Sequence, residues 1–262
     1  VRFFLLAILP LLLVGCDQTP TGRDQLALVP ESMMADFGRQ TFVQLQQQLP
    51  VGTGESARRK VQCVAEHLIS RIPARFPGAT MPTTWEVVLF ADSTPNAFAL
   101  PGGKIGVNEG LLKVAQSDDQ LAAVVGHEIA HVLAKHGNER LTQELGIKTV
   151  LFIVGLFSEG DADTENIRQA LGVGAYLGIA LPFSRSHEQE ADAMGLELMA
   201  SAGFDPRQSI QLWRNMAAAG GAQPMEFLST HPNHDSRIKA LEERMGNTLP
   251  LYHQASPVNC ER

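Results

Sequence analysis

Two histidines four residues apart with a glutamate after the first, His127-Glu128-Ile129-Ala130-His131, are the residues of this chain best suited to chemistry. On a helix, at ~100° per residue, positions i and i+4 lie one turn apart on the same face. The two imidazoles can therefore share one tetrahedral zinc while the carboxylate leans toward the same cleft. The chemistry implied is hydrolysis, with a metal to polarise a carbonyl and a carboxylate to take a proton from water. By composition alone the pattern arises in roughly one chain per hundred of this length, so it needs partners. A catalytic zinc needs a third protein ligand and an open position. The continuation H-E-x-x-H-x-x-G-x-x-H is excluded, because Ala134 and Gly137 stand where Gly and His are required. His136 is read as serving the negative end of the helix. Downstream, Glu188 and Asp192 are i, i+4 on a helix face shared with Gly195 and Met199. Glu188 can complete the zinc shell, and Asp192 can accept the second ring N–H of a ligating histidine. Glu190 points to the opposite side and lacks such a partner.

The elements that must hold these groups follow from local signals. Ser117-x-x-Gln120 gives a capping-box start to the first helix and Gly137 a C′ stop, while Leu121, Ala122, Val125, Ile129, Val132 and Leu133 face away from the histidines. Ser186-x-x-Gln189 can cap the helix of Glu188, expected over about 186–202. Other helices are read at about 31–49, 55–72, 206–219 and 234–246, and one beginning in 108–115. Trp85–Phe90 reads as a buried strand, and Asn96–Leu100 and Lys104–Val107 as short strands about a Pro101-Gly102-Gly103 turn. Two apolar runs, Thr149–Phe157 and Leu171–Phe183, are too short to span a membrane and are read as helices over the core. The fold class is α+β, mostly helical, with a small mixed or antiparallel sheet.

The 262 residues are 44% hydrophobic and 19% charged, which suits one ordinary domain with a sizeable core. A net charge of −7 with no basic cluster excludes a nucleic-acid footprint. Arg2 and the apolar Phe3–Val14 read as an export leader. Its end, Leu13-Val14-Gly15-Cys16, resembles the lipobox of bacterial lipoproteins. That resemblance implies cleavage before Cys16, lipidation of Cys16 and a membrane anchor; the alternative is an ordinary secretory signal cleaved near Gly15. Asp17 resembles the signal that keeps some lipoproteins in the inner membrane. Residues 17–30 read as a polar tether. Cys63 lies opposite the apolar stripe of its helix and is expected to be accessible; with Cys260, in an oxidising compartment, it either forms a disulfide or remains a free thiol. The organisation read is a signal peptide over 1–15, a tether and helix over 16–50, a zinc metalloprotease domain over 51–250 and a tail over 251–262.

Together the motifs resemble the zinc metallopeptidase family of the CAAX prenyl endopeptidases, HtpX and the periplasmic BepA- and LoiP-like proteases. Besides the two ligand motifs, the resemblance rests on Asn96-Ala-Phe-Ala-Leu-Pro-Gly-Gly, Gly110-Leu111-Leu112, His136-Gly-x-Glu139-Arg140, and Ser229-Thr-His231-Pro232 followed by Arg237-Ile238. It covers roughly residues 55–245. It implies a gluzincin-type core, one Zn2+ held by His127, His131 and Glu188, and Glu128 as base. It also implies protein or peptide substrates, plausibly in the cell envelope on the periplasmic side. His231 and Arg237 match positions that support the oxyanion, and His231 one that holds some relatives off. The alternatives are a loop histidine beside a proline and an arginine paired with Asp235 or another carboxylate. Asn96, Ala97, Phe98 and Ala99 match the strand that edges the cleft, where an extended peptide can add; Phe98 and Leu100 alternatively belong to the core. His67, His187, His234 and His253 are read as surface histidines. A second functional class remains beside the protease: a zinc-containing binding or assembly module with gated or residual activity.

Overall fold

The computed structural model describes residues 16–146, 149, 182–219, 226–231 and 234–260; the leader and, but for Thr149, Pro182 and Phe183, the two apolar runs lie outside the described residues. In chain order the elements are β1 (Cys16–Gln18), β2 (Asp24–Leu26), α1 (Glu31–Gln48), α2 (Glu55–Arg75), β3 (Glu86–Phe90), β4 (Ala97–Leu100) and β5 (Lys104–Asn108). A 3₁₀ turn over Glu109–Lys113 leads to α3 (Asp118–Leu133), α4 (His136–Leu145), α5 (Arg185–Ala202), α6 (Arg207–Ala219), α7 (Glu226–Thr230) and α8 (His234–Gln254). The chain is thus mostly helical, with a mixed sheet of order β3-β5-β4 in which β3 and β5 are parallel and β4 and β5 antiparallel.

The core lies between this sheet, α2, α3 and α5. Val61, Val64, Ala65, Leu68 and Ile72 form the buried stripe of α2, and Ile105 and Val107 of β5, Leu121, Val125 and Ile129 of α3, and Leu198 and Met199 of α5 join the same cluster. At the crossing of α3 and α5, a Cβ on Gly195 would stand 2.8 Å from the His127 backbone nitrogen. Only glycine allows that approach, and the approach brings the two ligand motifs face to face. Gly195→Val is expected to cost about 1–3 kcal/mol by overpacking and to lower metal content, as measured by urea unfolding and elemental analysis.

Some boundaries differ from the sequence reading. Residues 17–30 do not form a free tether: β1 and β2 pair antiparallel, and Val29 is bound at N–H and C=O by the Asn138 side chain. Asn108 ends a strand rather than starting a helix. On α3 the cap is as expected, Ser117 Oγ accepting the Gln120 N–H at 3.2 Å. The helix ends at Leu133, however, and the turn is made by Lys135 at φ 55° rather than by Gly137. Ser184, not Ser186, caps α5, accepting the His187 N–H. The last helix runs on to Gln254.

Beyond it the chain returns to α2, where Cys260 and Cys63 form a disulfide with Cα atoms 5.7 Å apart. Replacing both cysteines by serine is expected to lower stability by about 2–4 kcal/mol, read from denaturant midpoints under oxidising conditions.

Candidate metal centre

His127 and His131 project from α3 toward Glu188 of α5, and His231, just after α7, closes the group from the far side. All four are buried, with one ligand atom each lying within 4.8 Å of the others. His127 Nε2 is 3.0 Å from His131 Nε2 and 3.2 Å from His231 Nδ1; His231 Nδ1 is 2.9 Å from Glu188 Oε1. Glu188 oxygens lie 3.5 Å from both Nε2 atoms. Donors about 2.0–2.1 Å from a tetrahedral ion are about 3.3–3.4 Å apart, so the spacing is that of a coordination shell.

The surrounding hydrogen bonds fit the same reading. His127 Nδ1 faces Asp192 Oδ1 at 3.1 Å. His131 Nδ1 faces His136 Nδ1 at 2.9 Å, and His136 Nε2 faces Glu190 Oε2 at 3.1 Å. Glu190, as a carboxylate, only accepts, so His136 carries its proton on Nε2 and receives one from His131. Burial pushes His136 down to about 4 and His131 well below its ordinary value, which keeps both rings neutral. Against burial and Arg237, the Asp192 and Glu188 carboxylates raise His127 to about 9, so the His131 Nε2 lone pair faces a protonated His127 Nε2, a place that a cation between the two nitrogens suits equally well.

Glu128 is buried beside this group. Its Oε2 accepts the Ala99 N–H at 3.3 Å, its Oε1 lies 3.5 Å from His231 Nε2, and Oε1 makes no hydrogen bond. Burial raises its pKa, against the pull of His231 and His127. Arg237, 1% exposed, lies behind His127: Nε and Nη2 bond the two oxygens of Asp192 at 2.7 and 2.6 Å, and Nη1 is 2.5 Å from Glu188 Oε2. Its plane rests 3.8 Å from the Trp213 ring centroid. Burial acts to raise Glu188 and Asp192, but His231 and Arg237 for the first, and Arg237 for the second, hold both carboxyls below their ordinary values.

β4 is the edge strand beside α3. Asn96 precedes it and accepts the Asn108 N–H, Ala97 is buried, and Ala99 turns its N–H away from β5 to Glu128. Phe98 packs instead with Phe42 of α1 and Phe90 of β3. Between β4, α1 and α4 runs an open cleft, with Met34, Phe37, Ala99, His131, Leu141 and Phe183 in its walls.

Other groups lie where local pattern did not put them. His187 is not on the surface but buried, with Nε2 3.0 Å from Glu139 Oε2. Glu190 is likewise buried, bound by His136, Thr19, Thr21 and Arg23. The reason is the place of α5, which is covered on both sides, so the side away from Glu188 receives the β1–β2 hairpin instead of solvent. His136 opens α4 instead of closing α3. His67 and His253 are exposed as expected; the His234 side chain lies outside the described residues. The signal for the missed group was the His136-Gly-x-Glu139-Arg140 string, whose spacing puts His136 and Glu139 on one helical face.

The model of peptidase family M48 matches residues 55–245. The mitochondrial metalloendopeptidase OMA1 of Schizosaccharomyces pombe is 38% identical over 182 residues, covering 66% of this chain and 52% of the relative. OMA1 of Saccharomyces cerevisiae is 36% identical over 179 residues, covering 65% and 50%. The beta-barrel assembly-enhancing protease of Escherichia coli K12 is 26% identical over 183 residues, covering 66% and 37%. The chain thus spans about half or less of the length of these relatives.

Proposed function

Because the chain belongs to peptidase family M48, we propose that it is a metalloendopeptidase whose metal is zinc, held by His127, His131 and Glu188, with Glu128 as catalytic base. The observation that carries this reading is the convergence of nitrogen and carboxylate donors at coordination spacing in a buried site. A bound zinc supplies Lewis acidity that polarises a carbonyl and activates water near neutral pH. Glu128 takes the water proton and delivers it to the leaving amine, and its raised pKa favours that exchange. Asp192 and His136 orient the two ligating rings. The outward side of β4 at Ala97 and Ala99 binds an extended peptide through its backbone, and the cleft beyond His131 takes an apolar side chain.

His231 favours a second reading of the same site. Its Nδ1 stands with the ligand atoms, so four donors close a shell that catalysis needs open. In that reading the state described is a resting enzyme, and activity requires His231 to leave.

We further propose export, with residues 1–15 as leader, Cys16 as the lipidated residue and envelope proteins, misfolded ones included, as substrates. The lipobox-like Leu13–Cys16 supports this, and so does the Cys63–Cys260 bond, which belongs to an oxidising compartment. No described helix is long and apolar enough to cross a membrane.

The test is elemental analysis and cleavage of an unfolded protein by the purified chain and by His231→Ala. One zinc per chain, with cleavage abolished by a chelator and restored by zinc, is expected. Faster cleavage by His231→Ala supports the resting-enzyme reading; slower cleavage supports a transition-state role for His231. A chain that binds no zinc overturns the ligand assignment.

A further inference from the structure

The β1–β2 hairpin lies outside the matched family region, yet its turn reaches the back of the metal centre. Arg23 donates from Nε to Glu190 Oε2 at 2.6 Å, and from Nη1 and Nη2 to the two oxygens of Glu139 at 3.1 and 2.7 Å. Thr19 and Thr21 donate their hydroxyls to Glu190 Oε1. Both glutamates are buried, on different helices, and each holds a histidine: Glu190 accepts from His136, and Glu139 from His187. The two rings stack with centroids 4.5 Å apart and planes 22° from parallel. The two arms of the Arg23 fork thus meet on His136, one through its Nε2 hydrogen bond and the other through its ring face. His136 is in turn the partner of His131 Nδ1 at 2.9 Å.

We propose that Arg23 is a positioning residue for the metal centre, fixing through Glu190, Glu139 and His136 the ring of His131. The inference rests on the reading of His131 as a zinc ligand. Its physical content is that two buried carboxylates need a cation to keep their places. Without it Glu190 is free to turn from His136, and His131 loses the acceptor that sets its tautomer and angle. Partners outside the ligand shell are worth about 10–100-fold in metal affinity.

The experiment measures zinc release to an excess of a chromogenic chelator, with kcat, KM and Tm, for the mature chain, Arg23→Gln, Arg23→Lys, Thr21→Val and Asp17→Asn. Asp17→Asn removes the Asp17–Lys135 ion pair, which ties the hairpin down elsewhere, and serves as the docking control. Arg23→Gln is expected to release zinc about tenfold faster and to lower kcat similarly with KM within about twofold, Arg23→Lys to fall between, and Asp17→Asn to match the wild type. Should Arg23→Gln fail to fold, release rates rising from wild type through Thr21→Val to Arg23→Lys still support the proposal, and a flat series overturns it. Release and kcat unchanged in Arg23→Gln, with only Tm lowered, overturn it too, leaving Arg23 a docking contact alone. A wild type without zinc defeats the ligand reading itself, which separates the two failures.

Discussion

Glu128→Gln is expected to lower kcat for cleavage of an unfolded protein by about 10²–10⁴-fold, with zinc content and thermal stability unchanged. The amide keeps the shape and can still accept the Ala99 N–H through its oxygen, so the contact between α3 and β4 survives. What it cannot do is take a proton. The Oε1 atom makes no hydrogen bond in the structure and faces the donor cluster, so its replacement removes a reacting group rather than a structural one. Equal loss of kcat and kcat/KM is the signature to measure, because the interaction exists only as the proton moves. A variant retaining a tenth of the wild-type rate would move the base elsewhere.

Arg237→Met is expected to destabilise the fold by about 3–5 kcal/mol, the cost of leaving buried charge without its partner. Asp192 would keep His127 but lose its two-pronged donor, and Glu188 would lose its nearest cation. Urea unfolding gives the number, and zinc content should fall with it. The sequence allowed an oxyanion donor or an ion-pair partner at this position. Its guanidinium lies behind His127, engaged on both oxygens of Asp192, so we read Arg237 as holding the ligands in place. An oxyanion donor would instead lower kcat in a chain of normal stability and normal zinc content.

The parts of the site that were legible are those written in one helical turn. His127 and His131, and Glu188 and Asp192, are i, i+4 pairs whose geometry follows from helix pitch alone, and the strands flanking Pro101-Gly102-Gly103 follow from alternation and turn chemistry. The illegible parts are contacts between distant segments. Nothing local to Thr-Gly-Arg23 announces that Arg23 meets Glu190, 167 residues away. His187 has no motif context and so reads as a surface histidine, whereas α5 is buried on both sides. The end of α3 differs from its sequence expectation for a physical reason as well. Gly137 is the residue expected to take a left-handed turn, but Lys135 takes it, and this brings His136 back under His131.

The disulfide makes the molecule a closed ring from residue 63 to residue 260, and every candidate ligand, Glu128 and Arg237 lie on its circumference. A single cut anywhere along that arc opens the ring without releasing a piece. Such a chain, clipped by itself or by a neighbouring copy, keeps α3, α5 and α8 covalently joined through Cys63 and Cys260. It would run as one species on a denaturing gel until reductant is added, and then as two.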